Sequence, residues 1–238
     1  EGASTSSEPA AAMMGVNLDE GGRERQQSVA LNDDPLVNKV TAATSFAELQ
    51  AAVKPLAEWQ YAAEQAAGIE RAKTYVQGSD KDVLCGFFVS SINEWKIAQP
   101  RVLVITHTAY YRVTYSHKYG RIDHYHKTPL SKLRVIEKTA VGLKIYLTEQ
   151  DGNASIGKKL SGWFSKSKEK DEFEHVREYL PTVPGAFPGG VELCSDVIAA
   201  CLHKAAELAS KLAAAEGGGS AGFAVPTLLT TEGRKQIL

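Results

Sequence analysis

VLCGFFVSSI (83–92), VLVI (102–105), YYRVTY (110–115), RIDHYHK (121–127), LRVIE (133–137) and GLKIYLT (142–148) follow one another along residues 81–148. Gly, Pro, Asn and Ser separate them, at 93–100 and 116–120 above all, and no helical period runs through any of them. Strands of this length, spaced near ten residues apart, predict a small antiparallel sheet, sandwich or barrel. Where alternation is visible it assigns faces. Leu143, Ile145 and Leu147 point one way, and Lys144, Tyr146 and Thr148 the other. Tyr111, Val113 and Tyr115 oppose Tyr110, Arg112 and Thr114. Asp151-Gly152-Asn153 reads as a hairpin turn, with 153–157 as a last strand.

The flanks have other periods. Val191, Cys194, Val197 or Ile198, Cys201 or Leu202, Ala205, Leu208 and Leu212 fall at spacings of three and four, so 191–212 predicts one amphipathic helix with a buried face. Residues 45–77 also look helical. Ser45 and Glu48 form a capping-box pattern, and Pro55 ends or kinks the helix near Lys54. The Ala-rich stretch 58–76 is either a second helix or a surface for a partner. Residues 1–31 have almost no large apolar side chains and cannot offset their own ordering entropy. The expected organisation is therefore a low-complexity tail (1–44), a helical extension (45–80), a sheet domain closed by its helix (81–215) and a C-terminal tail (216–238), with a short apolar patch at 223–229. The fold class is α+β: an antiparallel β-barrel closed by a C-terminal amphipathic helix, with N-terminal helices.

Net charge is only −1, but it is unevenly placed. Residues 1–93 carry 7 basic and 13 acidic side chains, whereas 94–134 carry 8 basic and 2 acidic. Lys96, Arg101, Arg112, Lys118, Arg121 and Lys127 make the early strands the basic part of the molecule, a patch that attracts acidic lipid headgroups or an acidic protein surface. A solvated face balanced by the acidic N-terminal segment accounts for the same charges. A second basic stretch, 157–171, sets Lys158, Lys159, Lys166 and Lys168 around Trp163 and Phe164, which suits insertion into a membrane interface or a partner and equally suits rings folded back on the sheet. In the N-terminal tail, Met13, Met14, Val16 and Leu18 are the few apolar anchors for a partner.

Catalytic motifs are missing: no phosphate-binding glycine loop, nucleophile elbow, zinc-protease helix or C-x-x-C occurs, and no cofactor is expected. Cys85 is not followed by the arginine of a Cys-x5-Arg loop, because Ser91 stands there. His124 and His126 share a strand face, with His117 nearby, but lack a third ligand at metal spacing. Cys85, Cys194 and Cys201 read as reduced, buried thiols of a cytosolic-type compartment. No apolar run approaches the roughly 20 residues that span a bilayer, and residues 1–12 carry no leader pattern.

Six or seven strands followed by one helix outline a pleckstrin-homology-like (PH-like) domain. The pattern GFFVSSINEW…PRVLVITHTAYYRVTYSHKYGRI…LSKLRVIE resembles the PH-like homology domain that follows the Sac phosphatase domain of an inositol phosphatase. It is also similar to the family of the presynaptic protein Mover and, more loosely, to GRAM domains. The likeness rests on an aromatic first strand, Trp95 ahead of Arg101, the VLVIT strand, the aromatic strand after it and the late Trp163–Phe164 insertion. It implies a non-catalytic module that associates with membranes or proteins and self-associates; no Sac phosphatase domain is present, so phosphatase activity does not carry over. The loop 93–101 departs from lipid-binding PH domains, offering only Lys96 and Arg101, which counts against a specific phosphoinositide. The expected partners are an acidic membrane surface, proteins of an assembly, or another copy; nucleic acid is not among them. The expected function is a cytoplasmic, membrane-peripheral adaptor or scaffold. The alternative is a structural part of a cytoskeletal or ciliary assembly whose tails wrap a partner.

Overall fold

Alternation and β-branched content make β1 (Val83–Ile92), β2 (Ala98–Thr106), β3 (Ala109–Ser116) and β4 (Arg121–Pro129) a continuous antiparallel meander. The computed structural model describes residues 31, 33–93, 95–148, 175–185, 189–216 and 222–230. A 3-10 turn at Leu130–Lys132 leads to the hairpin β5 (Leu133–Thr139) and β6 (Gly142–Leu147). β7 (His175–Pro181) then pairs with both β6 and β1, joining the two groups of strands. β8 (Thr227–Thr230) adds to β5 in parallel, so the eight-stranded sheet runs β4-β3-β2-β1-β7-β6-β5-β8.

The sheet is mixed and does not close. This corrects the expected barrel, and the hydrogen bonding gives the reason. β5 is paired by β6 on one side and β8 on the other, so no edge of β5 is left for β4. The strand that supplies β8 was expected only as an apolar patch in a tail. β7 was not foreseen, and the expected strand at 153–157 with its hairpin turn lies outside the described residues.

Among the described residues, four α-helices cover the two faces. α1 (Pro35–Ala42) starts at Asp34, whose carboxylate accepts from the Leu36 N–H at 2.7 Å. α2 (Phe46–Ala52) starts at Ser45, whose hydroxyl accepts from the Glu48 N–H at 3.2 Å, as the capping pattern predicts. Glu48 itself reaches back one residue further, to the N–H and hydroxyl of Thr44 at 2.7 and 2.8 Å. Pro55 does end α2, and the chain continues as a 3-10 turn over Lys54–Glu58. α3 (Ala63–Gln77) is the Ala-rich second helix. Its Ile69, Ala72 and Val76 pack on Phe88, Val102, Val104, Tyr111 and Val113, so the surface that binds it is this chain's own sheet.

α4 (Gly190–Glu216) lies along the other face, against β2, β5, β6 and β7. Leu193, Val197, Cys201, Leu202, Ala205 and Leu208 meet Phe87, Val89, Leu103, Tyr110, Leu143 and Ile145 there. α1 and α2 cover α4 from outside, with Val37, Val40 and Leu49 fully buried. Sandwiched in this way, α4 also buries polar groups. Lys138 on β5 donates to Asp196 at 2.8 Å, and Asp196 is fully buried. All three cysteines are free and buried, as expected. Gly142 admits β7: a Cβ there would stand 2.1 Å from the Tyr179 carbonyl oxygen.

Candidate functional site: a basic cleft at one end of the sheet

Directly opposed residues of an antiparallel pair share a face. The register therefore defines rows on the α4 face. One row runs Phe87–Leu103–Arg112–His126 across four strands, and Val89–Arg101 is the next toward the 93–97 connection. Across the sheet, Tyr179 opposes Ser91, and Arg177 opposes Ile145. Near α4 this face is apolar. Toward the end that carries the 93–97 and 117–120 connections it turns basic, with Arg101 from β2, Arg112 from β3 and Arg177 from β7.

These three arginines line one cleft of about 750 Å³, together with Lys96, Lys144, Ser91, Gln99, Trp95 and Tyr146. Glu178 also lines it and is ion-paired with Lys96 at 3.3 Å. Arg101 donates to the Pro100 carbonyl at 2.7 Å and to the Gln99 amide oxygen at 2.5 Å, both neutral acceptors. Among the described residues no carboxylate pairs with Arg101, Arg112 or Arg177.

The electrostatic consequences agree. Burial, and then the Arg112 charge, push the Arg101 guanidinium below its ordinary value. Burial, Arg112 and Arg177 push the His126 imidazole down, so His126 is neutral at neutral pH. Beneath the cluster, the fully buried Tyr110 and Tyr179 phenols are pushed up, chiefly by burial. Among the described residues the local field is thus positive, with no carboxylate paired to the three arginines.

The same end exposes apolar side chains. Trp95 and Ile97 in the β1–β2 connection are 72% and 57% exposed, and Tyr119 in the β3–β4 turn is 61% exposed. Successive antiparallel hairpins place both connections at one end. Each aromatic has cations nearby: Lys96 follows Trp95 with a left-handed φ of 60°, and Lys118 and Arg121 stand 5.2 and 5.1 Å from the Tyr119 ring centre.

Of the basic residues singled out in the sequence, the structure brings Lys96, Arg101 and Arg112 into the cleft and places Lys118 and Arg121 on the neighbouring turn. Lys127 lies on the α3 face, 3.7 Å from Asp80 and over the Tyr111 ring. Asp80 is a structural node there, accepting from Thr106 and Thr108 at 2.8 and 2.7 Å. Lys158, Lys159, Lys166, Lys168, Trp163 and Phe164 lie outside the described residues, as do Met13, Met14, Val16 and Leu18. The assembly reading, which rests on the tails, lies there with them. Leu147 and His175 are register partners at the cleft end of β6 and β7.

Three members of the cluster were missed. Lys144 was read only as the outward side of β6, Arg177 sits in the unforeseen β7, and His126 was weighed as a metal ligand but not placed among the binding residues. The alternation Arg177–Tyr179 was the available signal. Among the described residues, no group of three or more His, Cys, Asp or Glu could hold a metal ion, and no helix is long and apolar enough to cross a membrane.

A family model described as "hSac2: Inositol phosphatase" matches residues 54–159. That stretch contains the whole 86–149 segment on which the sequence likeness was read, with Lys96, Arg101 and Arg112. Among solved structures, the hSac2 domain from human phosphoinositide phosphatase Sac2 aligns at 11% identity and a TM-score of 0.38, over 70% of this chain and 92% of that chain. No curated protein matches the chain.

Proposed function

We propose that this chain is a non-catalytic, PH-like module that docks on an acidic membrane surface with the cleft end of its sheet. The observation that carries the reading is the exposure of Trp95, Ile97 and Tyr119 on two adjacent connections, each beside cations and above an arginine cluster with no paired carboxylate among the described residues. Aromatic rings suit the headgroup layer, and each Lys or Arg near an anionic surface adds about 1 kcal/mol. The resemblance to the Sac-associated and Mover families, and the match to the hSac2 family model, favour a docking module over an enzyme. The work of such a module is adaptor or scaffold work at a membrane periphery.

Cosedimentation with phosphatidylcholine vesicles containing phosphatidylserine tests it. Binding is expected at low salt, and it falls as salt screens the surface, since the Debye length shortens from about 10 Å at 0.1 M to about 3 Å at 1 M. Trp95→Ala combined with Tyr119→Ala should weaken it several-fold. A wild-type chain that ignores anionic vesicles at low salt sinks the membrane reading and leaves an acidic protein surface as the partner.

A further inference from the structure

We infer that Arg101, Arg112 and Arg177 form a binding site for a phosphomonoester dianion, and that the cleft distinguishes this group from singly charged headgroups. The inference deepens the membrane-docking reading and rests on it for the lipid source. The shared chemistry has two possible sources, a lipid headgroup or a soluble phosphate.

Position is the first argument. The three guanidinium groups come from three strands, β2, β3 and β7, and line one cleft of about 750 Å³, well within the size of small-molecule sites. Arg112 directly opposes Leu103 in the register, and Arg101 lies two residues from Leu103 on the same face, so the two are diagonal neighbours. Strands hold such side chains with less freedom than loops do, which favours a defined ligand over a diffuse surface.

Charge is the second argument. A fold that needed these residues only for solubility would interleave carboxylates among them. Here Glu178, a described lining carboxylate, is taken by Lys96, and the two hydrogen bonds that Arg101 donates go to neutral oxygens, so its charge stays unpaired among the described residues. Arg112 and Arg177 also bear together on His126, Tyr110 and Tyr179, which places both charges over one floor. Planar guanidinium forks match phosphate oxygens bidentately, and a dianion with three terminal oxygens can engage more than one fork. A phosphodiester has one charge and two free oxygens and cannot use the cluster fully.

The loop composition gave no hint of this, because 93–101 supplies only Lys96 and Arg101. The remaining cations arrive from β3, β6 and β7 through the topology.

The test uses the full chain in two arms. In the first, vesicles containing phosphatidic acid, which carries a phosphomonoester, are compared with phosphatidylserine vesicles at matched surface charge. In the second, inorganic phosphate and inositol 1,4,5-trisphosphate are titrated by calorimetry without membranes. The wild type is expected to prefer the monoester vesicles by about tenfold, a difference of 1.4 kcal/mol. Arg112→Gln with Arg177→Gln should erase that preference, weakening binding to phosphatidylserine vesicles only by the loss of two surface charges and binding to the monoester vesicles about tenfold more. Arg112→Lys, which keeps charge but loses the fork, should fall between. Thermal unfolding of each variant separates a lost site from a lost fold. Equal binding of both lipids by the wild type, with no soluble phosphate bound, overturns the site and leaves the membrane reading standing. Soluble phosphate bound by wild type but not by the double variant, with no vesicle binding, supports the site and removes the membrane. No binding in either arm overturns both.

Discussion

The α4 face of the sheet has two ends built on the same strands in the same register, and their chemistry is opposite. Under α4, Phe87, Leu103, Tyr110 and Leu143 bury completely against Val197, Leu202 and Ala205. Two residues along their strands from Leu103, Tyr110 and Tyr179, the same face carries Arg101, Arg112 and Arg177 around an open cleft. Pleating dictates which way each side chain points, but it does not dictate this change of residue type. The apolar end is explained by folding. The basic end is not, because like charges at close quarters, with no carboxylate paired to them among the described residues, do nothing for stability. That asymmetry separates core from site in this molecule.

The largest effect is expected at the apolar end. Leu202→Asp puts a carboxylate into a fully buried contact between α4 and the sheet. An unpaired charge there should cost more than about 4 kcal/mol, at the exceptional end of single substitutions. Urea unfolding followed by circular dichroism measures it. A near-wild-type midpoint would mean that α4 does not cover this face, and the contrast between the two ends would lose its basis.

A smaller loss is expected where the apolar end holds its own buried charges. Asp196→Ala leaves Lys138 with only Glu192, at 3.2 Å and mostly exposed, as a partner. Removing one member of a buried pair costs about 3–5 kcal/mol. Lys138→Met combined with Asp196→Leu should restore much of the loss, because the pair itself contributes little net stability over apolar residues. Failure of the double variant to recover would show that the pair specifies how α4 seats on β5.

How much of this was legible in the sequence divides along the same line. Alternation and turn residues located β1 to β6 within a few residues, since half-buried strands must alternate. Ser45, Glu48 and Pro55 marked the ends of α2 by local chemistry alone. β7 was missed because HVREYLP interleaves charges with apolar residues, and its role as the strand joining β1 to β6 is a non-local pairing. β8 was missed because four residues adding in parallel to β5 leave no periodic trace, and with β8 went the reason why no barrel closes. For the site, Arg101 and Arg112 were visible as charges, but their partnership with Arg177 is a property of the register. Lys127 sat in the same count of charges and went to Asp80 on the opposite face.

Acidification should weaken both ends, by a smaller amount. His107, His126 and His203 are all held below the ordinary imidazole value, in each case first by burial. At His126 the Arg112 and Arg177 charges add to burial; at His107 Asp82 and Asp80 work against it, and at His203 Glu207 works against it while Lys204 adds to it. The unfolded chain takes up these protons near pH 6.5, whereas the folded chain resists until lower pH. In that window the unfolded state binds more protons, so stability rises with pH. The contribution is complete above about pH 6.5 and is lost as pH falls through the folded values. Chemical unfolding between pH 7.5 and 5 should show the slope. His126→Gln removes the share of the basic end and His203→Gln that of the apolar end. If His126→Gln leaves the slope unchanged, the arginine field at the cleft is weaker than the register implies.

The smallest effect is the one that discriminates most. Leu103 and Arg112 are direct register partners on the same face, one fully buried and one lining the cleft. Leu103→Ala should cost about 2–5 kcal/mol by leaving a cavity beneath α4. Arg112→Gln keeps much of the side chain's length and removes a charge from a cluster that repels itself, so the change in stability should stay within about 0.5 kcal/mol and is expected to be favourable in sign. Paired urea titrations of the two variants at low salt make the comparison, with repetition at high salt. Screening should shrink the Arg112→Gln effect and leave Leu103→Ala untouched, because one is electrostatic and the other is not. An Arg112→Gln chain destabilised by several kcal/mol would show that the arginine holds the sheet together and is not held ready for an anion; the basic end would then be a second piece of the core.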